Sequence, residues 1–137
     1  MKIGDVMTRD VELTRPDATI SEVAKAMLDQ DIGLLPVGAD DKLIGVITDR
    51  DIVIRAVALG MDPTTTTVDK VMSERILYCY EEEDIKKANE SMGELQIRRM
   101  PVVNRDKRLV GIISLADLAI RGSAARAGKT LEAVVAD

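Results

Sequence analysis

Apolar residues recur along this chain in two periods, and the same succession of periods occurs twice. Apolar and polar positions alternate from Val11 to Thr14 and again from Ile76 to Tyr80, the period of a strand. Ile20, Val23, Ala24, Met27 and Leu28 then fall at i, i+3, i+4 spacing behind Thr19-Ile20-Ser21-Glu22, which has capping-box spacing and predicts a helix. Ile85, Ala88 and Met92 form a weaker, more polar version of that stripe. Leu34-Leu35-Pro36-Val37 and Met100-Pro101-Val102-Val103 read as strands. Each leads through a turn, Ala39-Asp40-Asp41-Lys42 or Asn104-Arg105-Asp106-Lys107, into an antiparallel aliphatic partner, Leu43 to Ile47 or Leu109 to Ile113. Runs so continuous predict strands covered on both faces. A second helix starts near Asp51 and stops at Gly60, or starts near Asp117 and stops near Gly122, glycine suiting a helix end.

The correspondence extends to identity. Val6-Met7-Thr8 returns as Val71-Met72-Ser73 at an offset of 65, which also pairs Ile20 with Ile85, Met27 with Met92, Ile32 with Ile97 and Pro36 with Pro101. One extra residue near Arg105 moves the offset to 66, where Leu43 to Thr48 meets Leu109 to Ser114, Asp51 meets Asp117 and Arg55 meets Arg121. This is internal duplication. It divides the chain into a first motif (1–60), a linker (61–68), a second motif (69–122) and a tail (123–137) with a helix suggested by Leu131, Val134 and Val135. The fold class expected is α/β (α+β), two β-α-β-β-α motifs. Neither copy is expected to bury its own sheet, so the two should pack about a pseudo-two-fold axis.

Composition narrows the chemistry. Among 137 residues there is no His, Trp or Phe and a single cysteine, Cys79. Imidazole bases, Ser-His and Cys-His pairs, His-containing metal sites, intrachain disulfides and Cys-x-x-Cys pairs are thereby excluded. The net charge of −5 argues against nucleic acid as a partner, though not against a local basic pocket. Arg and Asp interrupt every apolar stretch, and Asp5 stands where a signal peptide needs an apolar core. A soluble cytoplasmic protein with no membrane partner is expected.

One string occurs twice at a strand-to-helix junction: Gly45-Val46-Ile47-Thr48-Asp49-Arg50-Asp51 and Gly111-Ile112-Ile113-Ser114-Leu115-Ala116-Asp117. One reading is helix capping, with the hydroxyl at the N-cap and the acid three residues on. The other is a ribose-phosphate clamp: backbone N–H groups and a hydroxyl face phosphate while an ionised Asp accepts from both hydroxyls of a ribose. Spacing alone leaves both open.

These strings resemble the cystathionine-β-synthase (CBS) domains, in the tandem arrangement called a Bateman module, over roughly residues 3 to 122. The first set is Asp5-Val6-Met7, Ile32-Gly33-Leu34-Leu35-Pro36-Val37 and Gly45 to Ile52. The second is Lys70-Val71-Met72, Ile97-Arg98-Arg99-Met100-Pro101-Val102-Val103 and Gly111 to Leu118. The resemblance implies binding of adenosyl ligands (AMP, ADP, ATP, S-adenosylmethionine or NAD) in two crossed clefts, with no obligatory cofactor. Cleft one would use Thr48, Arg50, Asp51 and the Gly33-Leu34-Leu35 backbone with Cys79, Tyr80 and Ile85. Cleft two would use Ser114, Asp117, Arg98, Arg99 and Met100 with Thr14, Arg15 and Ile20. Leu115-Ala116 replaces Asp49-Arg50 in the second copy, so Arg98 or Arg99 would have to supply the phosphate charge.

Strand alternation allows only one of Arg98 and Arg99 into a cleft. Tyr78 and Tyr80 share a face of a regular strand, for packing or for base stacking. Glu81 to Asp84 reads as a solvated helix start that would repel polyphosphate nearby. Cys79 reads as a small apolar strand residue, with regulatory oxidation as the other reading. The leading functional expectation is a non-enzymatic regulatory module acting on an unidentified protein. The competing one is a structural or interaction module with degenerate, ligand-free clefts. A homodimer is expected through helices near Ile52 to Leu59 and Leu118 to Arg121. No nucleophile, base or metal cluster supports an enzyme.

Overall fold

The computed structural model describes residues 1–9, 11–40, 42–122 and 124–136, so Asp41 of the first turn and both ends of the tail lie outside the described residues. In chain order the elements are α1 (Ile3–Val6), α2 (Ile20–Gln30), β1 (Leu34–Ala39), β2 (Lys42–Thr48) and α3 (Asp49–Asp51), which continues as a π-helical stretch, Ile52–Val57. After a 3-10 turn at Val68–Lys70 come β3 (Cys79–Tyr80), α4 (Ile85–Leu95), β4 (Arg99–Val103), β5 (Leu109–Ser114), α5 (Leu115–Arg121) and α6 (Ala124–Val134). The chain forms two compact units: a central one, Glu12–Ile76, and a terminal one made of Met1–Val11 with Leu77–Asp137. No described helix is long and apolar enough to cross a membrane.

Both units repeat one sheet layout. In the central unit β1 pairs antiparallel with β2, Leu34 opposite Thr48, while Thr14 bridges Val37 on one edge and Ser73 bridges Val46 on the other. In the terminal unit β3 runs parallel to β4, β4 pairs antiparallel with β5 with Arg99 opposite Ser114, and Thr8 bridges Ile112. Each motif thus receives its last edge from the leading segment of the other motif.

The borrowed segments are built in. Ile3, Val6 and Met7 are buried in the terminal unit's apolar cluster with Met92, Met100, Ile113 and Leu118. Val68 and Val71 are buried in the central unit's cluster with Ile20, Leu35 and Ile47. At about 1.5–3 kcal/mol for each such side chain, burial is enough to hold a short segment in place. Each unit therefore has its own apolar cluster, completed by a borrowed segment. Thr8 and Ile112 exchange two backbone hydrogen bonds (2.9 and 3.0 Å), as do Ser73 and Val46 (2.8 and 3.0 Å). The repeated arginines clip the same segments. Arg55 Nη1 donates to the carbonyls of Val71 and Met72, and Arg121 Nη1 to those of Val6 and Met7, at 3.3–3.4 Å.

Several sequence expectations need correction. The first strands shrink to Thr14 alone and to Cys79–Tyr80, because each is an outer edge with pairing on one side only. On α2 only Ile20, Val23 and Met27 are buried; Leu28 is 80% exposed, so the apolar stripe is wider than the face the core covers. Burial alternates along β2 and β5, so these strands bury one face and leave the other half-covered. The second helices begin at Asp49 and Leu115, just after their capping hydroxyls. Gly60 is left-handed (φ 71°), but Gly122 is not (φ −108°); a Cβ there would meet the Leu118 carbonyl oxygen at 2.7 Å.

The tail is helical and docked. α6 packs on α4 and α5, Thr130 Oγ1 donates to Asn89 Oδ1 (2.8 Å), and Asn89 Nδ2 donates to the Ile85 carbonyl (3.2 Å). Both polar side chains are buried, at 4% and 6% exposure, with their bonds satisfied. Gln96 Nε2 caps the far end of α6 through the carbonyls of Ala133 and Ala136. At the repeat offset, Asn89, Gly93 and Gln96 correspond to Ala24, Leu28 and Asp31. The second copy's first helix is thus adapted to receive α6.

Candidate functional site

The two hydroxyl-carboxylate strings fold alike. Thr48 Oγ1 accepts from the Asp51 N–H (3.0 Å) and Asp51 Oδ2 accepts from the Thr48 N–H (3.0 Å). Ser114 Oγ accepts from the Asp117 N–H (3.0 Å) and Asp117 Oδ2 from the Ser114 N–H (3.1 Å). Both are reciprocal capping boxes, so capping is realised in each copy. It consumes one acceptor site on each carboxylate and leaves further acceptor capacity, which Arg55 faces at Asp51 and the Thr8 hydroxyl faces at Asp117.

What surrounds the boxes differs between the copies. In the central unit the first three N–H groups of α3 are taken. Asp49 donates to the Gly33 carbonyl (3.0 Å), Arg50 to Asp49 Oδ1 (2.8 Å) and Asp51 to Thr48. The Asp49 carboxylate lies over Gly33 so closely that a Cβ there would meet Oδ2 at 2.8 Å. Arg50 is exposed, and Asp51, its side chain 17% exposed, faces Arg55 Nε at 3.9 Å. Leu34 is half-buried and Leu35 lies in the core, so this junction sets two carboxylates beside two arginines, one of them facing Asp51, and offers no open helix end.

The terminal unit differs. An open cleft of about 430 Å³ is lined by Arg98, Arg99, Ser114, Leu115, Ala116 and Ala119. Both arginines line it, where strand alternation predicted one. Arg98 precedes β4, so the pleat does not dictate its direction, and its carbonyl accepts from the Leu115 N–H (2.8 Å). Met100 buries its side chain in the core. Here two cations line one cleft with Ser114, whose N–H donates to the Asp117 carboxylate. α5, at seven residues, is too short for a macrodipole to carry phosphate binding in the terminal unit. The charge must come from side chains.

The remaining candidates line further depressions or the core of their own units. Thr14 and Arg15 belong to the central unit and line a depression of about 640 Å³ with Gly38, Ala39 and Asp40, where Arg15 Nε pairs with Asp17 (3.4 Å). Tyr80 lines a terminal-unit depression of about 430 Å³ with Glu81, Glu82, Glu83 and Asn104, and Arg105 there is ion-paired to Glu82 (3.0 Å). Its ring stands edge-on to that of Tyr78, centroids 5.7 Å apart, and hydrogen bonding to Tyr78 holds the Tyr80 phenol above its ordinary value. Ile20 and Ile85 are core residues that start α2 and α4. Burial, helped by the charge of Glu83, pushes the Cys79 thiol up to about 12, so the thiolate needed for oxidation is scarce at neutral pH. Thr8 carries no sequence signal of a site. Its hydroxyl lies 3.4 Å from both Asp117 oxygens, and nothing local links residues 109 positions apart.

A family model for the CBS domain matches residues 3–57 and 68–122. Hypoxic response protein 1 of Mycobacterium tuberculosis is 40% identical over 116 residues, covering 84% of this chain and 80% of that protein. Among solved structures, Hypoxic Response Protein I with two coordinated zinc ions superposes with a TM-score of 0.78 at 38% identity, over 88% of this chain and 98% of that one. The CBS domain pair of MJ0100, in complex with 5′-methylthioadenosine and S-adenosyl-L-methionine, gives 0.79 at 25% identity over 91% and 98%.

Proposed function

The chain belongs to the CBS-domain family as a tandem pair, and from that premise we propose that it is a non-enzymatic, cytoplasmic regulatory module whose terminal unit takes a phosphorylated adenosyl ligand. One observation carries this reading: the cleft that gathers Arg98, Arg99 and Ser114, the last of which shares its capping box with Asp117. The arginines match phosphate in charge and in their fork of donors, and the carboxylate matches a ribose diol. The adenosyl complex of the MJ0100 pair supports the ligand class. The zinc of Hypoxic Response Protein I is not carried over. This chain has no His, and among the described residues no group of three His, Cys, Asp or Glu could hold a metal ion.

A panel of AMP, ADP, ATP, S-adenosylmethionine and NAD in a thermal-shift assay tests the proposal. At about 100 times its Kd a ligand stabilises the fold by about 2.7 kcal/mol. For a chain near this size that is a rise of about 5–11 °C in Tm. A flat response across the panel at millimolar levels favours the second reading, an interaction module. That reading draws on capping boxes that are already satisfied internally and on an exposed apolar surface of the central unit.

Val53, Ile54, Val57 and Leu59 are all exposed on one helical stretch of that unit. In the terminal unit Leu118 is buried and α6 packs on α5, leaving Ile120, 81% exposed, as the apolar side chain that stretch offers. We propose a C2 homodimer formed chiefly through the Ile52 to Leu59 face. Light scattering at tens of micromolar should report twice the 14.9 kDa chain mass, and Val57→Glu should halve it. A monomeric parent contradicts the proposal.

A further inference from the structure

We propose that Thr8 is a releasable latch on Asp117, through which a ligand carrying a vicinal diol loosens the end of the N-terminal segment; this rests on the ligand reading above. Thr8 Oγ1 lies 3.4 Å from Asp117 Oδ1 and 3.4 Å from Oδ2. A hydroxyl equidistant from both oxygens stands where the two hydroxyls of a ribose would bind them. The contact is also weak: hydroxyl-to-carboxylate bonds normally close to about 2.5–2.7 Å. A diol forming two bonds of that length outcompetes it.

Release has a consequence because of where Thr8 sits. Its neighbours are firmly held: Met7 is buried, and Arg121 clips the carbonyls of Val6 and Met7. Thr8 itself is exposed and tied down by its two backbone bonds to Ile112, on the strand that leads into Ser114. Displacing the hydroxyl therefore acts near the end of the segment, where the Arg9 side chain, donating to the Gly4 carbonyl (3.1 Å), follows, and on the strand beneath it. The other copy lacks the device. Ser73, the counterpart of Thr8, keeps both backbone bonds to Val46, but among the described residues it makes no hydrogen bond to Asp51, which faces Arg55 instead. Occupancy of one copy alone is thus reported to the chain's leading segment.

AMP is the probe, titrated calorimetrically into the full chain, Thr8→Val and Thr8→Ser, with backbone amide exchange followed at Thr8 and Ile112. Removing the competing hydroxyl should tighten AMP binding by about two- to tenfold in Thr8→Val, the range for one modest hydrogen bond, while Thr8→Ser behaves as the parent. Saturating AMP should speed exchange at both amides in the parent. If valine disturbs the fold, Thr8→Ala makes the same comparison. AMP bound equally or more weakly by the variant without the hydroxyl, or exchange unchanged or slowed by AMP, overturns the latch and leaves the ligand reading standing. A parent that binds no AMP overturns both.

Discussion

Asp117→Ala weakens ATP binding by about ten- to 150-fold, the cost of losing a hydrogen bond to a charged group, while Asp51→Ala changes it by less than about threefold. The difference follows from what surrounds two otherwise matching carboxylates. Asp117 stands beside a cleft lined by Arg98 and Arg99, so a nucleotide held there has its phosphates neutralised and its ribose within reach of an acceptor. Asp51 has Asp49 two residues away, folded over Gly33, and its outer oxygen faces Arg55. Each added phosphate gains from the two arginines of the first site, whereas at the second Arg55 already faces a carboxylate, so ATP should exceed AMP in affinity at Asp117. Both carboxylates also accept a capping N–H, and losing a cap costs about 0.5–2 kcal/mol of stability. Circular dichroism must therefore show each variant folded. Asp117→Asn, which keeps an acceptor for the Ser114 N–H, separates lost charge from lost capping. Folded Asp117→Ala binding ATP like the parent while Asp51→Ala loses it would move the working site to the central unit.

The second large effect is on stability. Gly111→Ala should lower Tm by roughly 2–12 °C, from about 1–3 kcal/mol of overpacking. A Cβ at Gly111 would stand 2.7 Å from the Thr8 carbonyl oxygen and 2.7 Å from Met7 Sδ. A thioether can swing aside, but that carbonyl accepts from the Ile112 N–H, so the borrowed strand must shift and weaken its bridge. Gly45→Ala should behave alike, with the Ser73 carbonyl oxygen at 2.8 Å and Met72 Sδ at 2.9 Å. Gly128→Ala gives the control of opposite sign. It sits within α6 with nothing within 4 Å of its would-be Cβ, so the change should add about 0.5–1 kcal/mol through helix propensity. Thermal melts of the three variants check the set. Equal effects at Gly111 and Gly128 would show that the crossing of the borrowed strand is not what requires glycine.

Features that depend on near neighbours are legible in the amino-acid order itself. The capping boxes at Thr19, Thr48 and Ser114 and the hairpins between β1 and β2 and between β4 and β5 follow from spacing within a few residues. The exchanged segments are not legible in that way. Val6-Met7 opens the first motif but packs beside Ile113 and Leu118, more than 100 positions away. Leu28 shows the same limit: its spacing on α2 is that of a core residue, yet nothing covers it. At the site, the residue types are legible and their neighbourhood is not. The strings at Thr48 and Ser114 look equivalent, and only the fold shows Asp49 over Gly33 in one and two arginines lining a cleft in the other.

Phosphate binding by Arg98 and Arg99 in the terminal unit's cleft is the property on which the adenosyl-ligand reading stands or falls. Calorimetric titration of ATP into the full chain and into the Arg98→Gln, Arg99→Gln double variant tests it most directly, because both side chains are exposed and their loss leaves the core intact. The expected result is saturable binding by the parent and at least about a tenfold weaker Kd in the double variant, the loss of one charge-assisted hydrogen bond or more. No saturable heat at millimolar ATP, or equal binding by parent and variant, would contradict it.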